Sequence, residues 1–244
     1  MPPLGTPSRP ASKGVAAGVT GVKRAHMVSR AYLGAWANGR GQVKVFDKEN
    51  PEVSGVRSVG DATVVRYAYR TELTTLDLEA EYARIESRAI PALRNLASGG
   101  STNREGEAAI IAFLDMHRER GGFADRTKEL VPMASANILT GESRLVHAGI
   151  GDRIVLSRTI DQSRTWIREL PVGQWRWHIL PVESGLITGD GAVLLWSERD
   201  FVCTVTFPIS PTRLLIIGSG LDGTTVPINA LVMNQSRRWL IGSP

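Results

Sequence analysis

Four side chains in this sequence, His26, Glu86, His117 and Asp190, are of the types that carry hydrolytic chemistry. Imidazole and carboxylate ligands can hold a divalent cation and activate the water bound to it. On that reading His26, Glu86 and Asp190 are candidate metal ligands, and His117 is the acid or phosphate clamp of a metal-assisted phosphodiester hydrolase. The four lie far apart in the chain. Nothing in their spacing compels convergence, so the fold has to supply it.

Each also has a plainer role. His26, just after Lys23 and Arg24, could be a ligand, a general base or a phosphate contact, but a hydrogen-bonded structural histidine weighs more. Glu86 follows Ile85 at the edge of an apolar stripe, where it either faces a cleft or stands exposed near Arg88. His117 shares a helical turn with Phe113 and Leu114 and has Arg118 and Arg120 beside it. It either points at an anion or serves as a cation near a helix C-terminus. Asp190 sits in Gly189-Asp190-Gly191, and Asp-Gly is a hairpin signal with a backbone reason of its own.

Other patterns carry less. Gly218-Ser219-Gly220-Leu221-Asp222-Gly223 matches the dinucleotide fingerprint by letter, but no acid follows it and too little chain remains for a second parallel strand. Trp175, Trp177 and Trp196, with Arg176 and His178 interleaved, alternate either as a base-stacking face or, preferably, as a core face. The single cysteine, Cys203, in a β-prone run, can form neither an internal disulfide nor a zinc knuckle. No Gly-Lys-Ser/Thr phosphate loop, His-Glu-x-x-His or Gly-x-Ser-x-Gly occurs, so ATPase, zinc protease and ordinary serine hydrolase lose their usual support.

The charge distribution points to a non-catalytic class. The chain carries +5, yet residues 1–46 contain no Asp or Glu. That stretch holds Arg9, Lys13, Lys23, Arg24, Arg30, Arg40 and Lys44, so it bears +7 and the remaining 198 residues sum to −2. A basic segment on a near-neutral body can grip phosphate in a sequence-blind, salt-sensitive way; the plainer alternative is a solvated tail. Lys23, Arg24 and Arg30 are the candidate nucleic-acid contacts, and an acidic protein is the other partner the charge would suit. The reading is thus a binding or interaction protein, with the hydrolase as its alternative and a divalent metal as the cofactor that alternative would need.

The elements that must position these residues follow from periodicity. Residues 1–22 lack helical or strand pattern and are expected to be a disordered basic arm, with residues 23–244 forming one domain. Lys23 to Ala37 is expected to be a short amphipathic helix, and Gln42 to Phe46 and Val53 to Val59 strands. Leu78, Tyr82, Ile85, Ala89, Leu93 and Leu96 stripe a helix over Leu76 to Ala97, kinked at Pro91. Thr102 and Glu105 suggest a capping box opening a second helix that ends at Gly121-Gly122, and Leu145 to Ile167 suggests more helix.

After Pro171 short β-prone runs predict one mostly antiparallel sheet, and Pro227 to Leu240 a closing helix. The expected fold is α+β, a helical N-terminal half packed with that C-terminal sheet. No apolar run nears the ~18 residues that cross a bilayer, and Gly, Pro, Ser and Lys interrupt the N-terminus where a secretory signal would be apolar, so the expectation is cytoplasmic with no membrane.

His26-Met27-Val28-Ser29-Arg30-Ala31-Tyr32-Leu33, Leu186-Ile187-Thr188-Gly189-Asp190 and Phe207-Pro208-Ile209-Ser210-Pro211 together resemble the family known as domain of unknown function 4238. The resemblance covers about residues 23 to 241. It implies a helix with an inward acid, matched here by Glu86, and a Thr-Ser-Asp-Asn-Pro turn matched by Thr188 to Ala192. It departs at Ser29, where proline is usual, and at Gly189, Gly191 and Ala192. It implies an architecture and a bacterial or mobile-element accessory setting, but no reaction.

Overall fold

The stripe read from Leu78 onward is the frame of the fold. Asp77 accepts the Ala80 N–H at 3.0 Å and starts the helix, Glu79 and Glu81 suit its positive first turn, and Leu78, Tyr82, Ala89, Ile90, Leu93 and Leu96 are its buried face. Pro91 lies inside without ending it. In the second helix the cap is Asn103, which accepts the Gly106 N–H at 2.9 Å, one residue later than the capping box suggested.

The computed structural model describes residues 24–71, 73, 76–160, 165–183, 185–219, 221 and 226–244. The expected arm at 1–22, Lys23, Thr225 and parts of the glycine-rich loop lie outside them. The elements run β1 (Ala25–His26), α1 (Arg30–Leu33), β2 (Gln42–Asp47), β3 (Gly55–Ser58), β4 (Val64–Val65), α2 (Leu78–Ala97), α3 (Arg104–Gly121), β5 (Val131–Ala136) and β6 (Ser143–Ala148). They continue α4 (Ile150–Ile160), β7 (Trp177–Pro181), β8 (Thr188–Gly189), β9 (Leu194–Glu198), β10 (Phe201–Ser210), β11 (Arg213–Gly218), α5 (Ile228–Gln235) and β12 (Trp239–Gly242).

This is an α+β fold. The late strands form a four-stranded antiparallel sheet in the order β7-β11-β10-β9, while β8 and β12 join β2 and β3 in a second, β3-β2-β12-β8. Two antiparallel ribbons, β1–β4 and β5–β6, complete it. The closing helix α5 is shorter than expected, because Trp239 to Gly242 pair with β2 as a strand.

The expected helix over Lys23 to Ala37 is likewise shortened. The Met27 N–H donates to the Thr63 carbonyl and Ala25 and His26 pair with Val65 and Val64, so tertiary pairing overrides the local stripe until Ser29 caps α1.

Buried apolar residues from Ala25 to Ile241 make one cluster. At its centre the Phe207 ring on β10 stacks on Tyr32 at 4.8 Å and meets the His117 ring at 5.3 Å, which docks α1 and α3 on the β7-β11-β10-β9 sheet. The Tyr32 hydroxyl donates to the Pro208 carbonyl at 2.6 Å and pairs with the Thr188 hydroxyl at 2.7 Å, so this buried polar tip is satisfied. The N-terminal motif and both later motifs of the resemblance therefore meet at one residue. No helix among the described residues is long and apolar enough to cross a membrane.

Candidate functional site

The C-terminal turns of α3 carry the charges. His117, Glu119 and Arg120 are all at most 3% exposed, although α3 begins as a solvated helix. Arg120 falls four residues after Met116 and three after His117, so helical phase turns it into the apolar stripe.

Its guanidinium is the hub of the site. Nη2 forms an ion pair with Glu86 on α2, Nη1 donates to the His26 backbone carbonyl at 2.9 Å, and the group lies 4.8 Å over the Tyr82 ring. The Tyr69 hydroxyl donates to the same His26 carbonyl at 3.3 Å, and Arg120 Nε has no hydrogen-bond partner among the described residues. Arg120 thereby fastens β1 to both long helices.

A second network adjoins it. Arg158 of α4 binds Glu119 through Nε at 2.8 Å and Nη2 at 2.7 Å, and reaches Glu81 at 3.0 Å. The Tyr82 hydroxyl donates to the same Glu119 carboxylate at 2.8 Å. These partners offset the cost of burying a carboxylate so deeply.

His26 is half-buried. Its Nε2 sits 3.2 Å from the Gly60 carbonyl, which only accepts, so the neutral ring carries its hydrogen there and leaves Nδ1 with the lone pair. Burial lowers the pKa of His26, with the cations Arg30 and Arg120 adding to the effect, while the Gly60 bond and Glu86 oppose it. At neutral pH this imidazole is uncharged.

His117 and Asp190 belong to a separate junction. His117 Nε2 donates to the Gly189 carbonyl at 2.8 Å, and burial pushes the imidazole down to about 4. The Asp190 carboxylate accepts the N–H groups of Arg237 (3.1 Å), Arg238 (3.0 Å) and Trp239 (3.0 Å), and so holds the turn between α5 and β12. Burial raises Asp190 to about 6 against the pull of those N–H groups. The turn role of Asp190 is thus directed at β12 and not at a β8–β9 hairpin, since β8 pairs with β12. A Cβ at Gly121 would land on the Asp190 carbonyl oxygen, which is why α3 ends on glycine at this contact.

The four chemistry-bearing residues therefore fall into two pairs, His26 with Glu86 around Arg120, and His117 with Asp190 around the 189–190 backbone, joined by α3. Among the described residues no three His, Cys, Asp or Glu side chains come together as a metal-holding group. Asp190→Asn should cost about 1–2 kcal/mol in urea unfolding, because one of its two acceptor oxygens becomes a donor facing buried N–H groups; an unchanged midpoint would contradict this anchoring.

Sequence reasoning missed Arg120, Glu119, Arg158 and a further pair, Arg238 on Asp47, bonded at 3.0 Å and 3.2 Å with both residues at most 9% exposed. Only Arg120 left a signal, a cation in phase with an apolar stripe.

With this geometry in place, the comparison with known families is specific. Residues 24–136 match the family model described as Protein of unknown function (DUF4238). Over those residues the chain is similar to this family. That segment holds β1 through β5 and, within it, His26, Glu86, His117 and Arg120. Asp190, on the later turn, lies beyond the matched residues. No curated protein and no solved structure matches the chain.

Of the expected nucleic-acid contacts, Arg24 is exposed and pairs with Asp61, itself exposed. Such a surface pair is worth little and opens readily to a phosphate. Arg30 stands exposed at the start of α1. Lys23 lies outside the described residues.

Proposed function

We propose that this protein binds nucleic acid through phosphate contacts made by its acid-free N-terminal stretch. The observation that carries this reading is that Arg30, Arg40 and Lys44 are exposed and form no ion pair among the described residues, within a stretch of 46 residues that contains no Asp or Glu. Unneutralised surface arginine and lysine attract a polyanion at long range and hold it by releasing its counterions. Arg9, Lys13, Lys23 and Arg24 add to the same stretch. The role suits the bacterial or mobile-element accessory setting that the resemblance implies, and with it a cytoplasmic location.

The partly buried Glu86–Arg120 pair supports this reading as scaffold and not as reagent. It fixes β1, and with it the chain that leads into Arg30, against the two long helices. Fluorescence anisotropy with labelled single-stranded and duplex oligonucleotides tests the proposal. The triple variant Arg30→Glu, Arg40→Glu, Lys44→Glu should weaken binding to every sequence alike, because phosphate contacts carry no base readout. Failure of the intact chain to bind either form at low salt would remove the reading.

A further inference from the structure

The core-facing stripes of α2 and α3 leave a second face of the same helical hairpin open. Along it run two adjoining cavities of about 510 Å³ and about 410 Å³, both lined by Arg88 and Glu105. Their floor is apolar and half-buried, with Ile85 and Ala92 from α2 and Ala109 and Ala112 from α3. The rims are charged and of opposite sign. Arg84 and Arg88 stand exposed along α2, Glu105 stands exposed on α3, and none of the three has an ion-pair partner among the described residues.

We propose that a second copy of this chain fills this groove, the two α2–α3 hairpins packing face to face about a two-fold axis parallel to the helices. That axis is selected by charge. It lays α2 of each copy over α3 of the other at the same height, so the Arg88 rim of one meets the Glu105 rim of its partner twice, related by symmetry. A two-fold axis crossing the helices would instead set arginine rim on arginine rim.

The size of the face agrees. Helices of 20 and 18 residues are ~30 and ~27 Å long at 1.5 Å per residue and ~10 Å wide each, so the hairpin offers roughly 600 Å² per copy. The pair would bury about 1,200 Å², above the ~1,000 Å² that a specific contact needs. The half-buried floor residues would then be packed, which the isolated hairpin leaves undone.

Sedimentation velocity on the full chain, from ~1 to ~100 μM, tests this, since a dimer depends on concentration by mass action. The unmodified chain should sediment as a dimer at the upper end. Arg88→Glu and Glu105→Arg should each raise the dimer dissociation constant by about tenfold or more, the low end for close interfacial charge pairs. The double variant Arg88→Glu/Glu105→Arg should restore it, an outcome that misfolding cannot imitate. A chain monomeric throughout, or single variants that dimerise like the parent, or a double variant no better than either single one, would overturn the proposal. Neither residue belongs to the N-terminal stretch, so oligonucleotide binding by the monomeric single variants reads the phosphate-contact proposal separately.

Discussion

Replacing Arg120 by methionine should lower the free energy of unfolding by about 3–5 kcal/mol, the cost of stranding the partners of a buried charge. Methionine keeps most of the unbranched length, so the loss reports the missing guanidinium more than a cavity. Glu86 loses its counter-ion, and the His26 carbonyl loses one of its two donors, keeping the Tyr69 hydroxyl. The Glu86 side chain is 23% exposed and regains some water, which places the effect toward the lower figure. Arg120→Met/Glu86→Met should lose less than Arg120→Met alone, because removing both partners strands no charge. Urea titration of the two variants checks this; a single variant within 1 kcal/mol of the parent would deny Arg120 its place as hub.

The pH dependence of stability should carry the mark of His117. Its folded pKa of about 4 lies below the ordinary value of 6.5, so the folded state resists a proton that the unfolded chain takes up. The stability it contributes is complete above about pH 6.5 and is lost as pH falls toward 4, in total roughly 3 kcal/mol at 1.36 kcal/mol per unit. Asp190 runs the other way. Its pKa is raised to about 6 from 3.8, so its contribution is present below 3.8 and fades as pH rises through 6. The two overlap between pH 4 and 6, and only a difference between proteins separates them. His117→Gln keeps a neutral donor for the Gly189 carbonyl and removes one titration. Between pH 7 and 4 the parent should lose about 3 kcal/mol more than this variant; parallel profiles would contradict a neutral, buried His117.

How far the sequence could be read follows from which forces are local. The stripe from Leu78 to Leu96 and the β-prone run from Val202 to Phe207 are patterns that a short window contains, and both elements form there. The failures are non-local. Ala25 and His26 pair with residues 39 positions away on average, β4 being distant in sequence, and this pairing cannot be seen from their own window. The β5–β6 ribbon was hidden because only Val146 and Ala148 of β6 are buried, a period of two too short to stand out beside Leu145 and the apolar residues of α4. β12 was absorbed into the expected closing helix for the same reason, since its partner β2 lies near the other end of the chain.

The candidate residues show the same division. His26 and Glu86 were singled out by type and resemblance, but what brings them together is Arg120, whose partners lie 34 and 94 positions away. Asp190 was legible as a turn former, yet its three N–H partners come from the segment before β12 and depend on the second sheet. Glu119 and Arg158 give no sequence sign of pairing, because a buried salt bridge between two helices looks in sequence like two solvated charges.

The central claim is that the N-terminal cations meet phosphate, and the slope of log affinity against log salt concentration measures it most directly. For the intact chain binding duplex DNA the slope should be clearly negative. In the triple variant Arg30→Glu, Arg40→Glu, Lys44→Glu it should become shallower by about 2 to 3, close to 0.9 for each phosphate contact removed. A slope that the triple variant leaves unchanged would contradict the account.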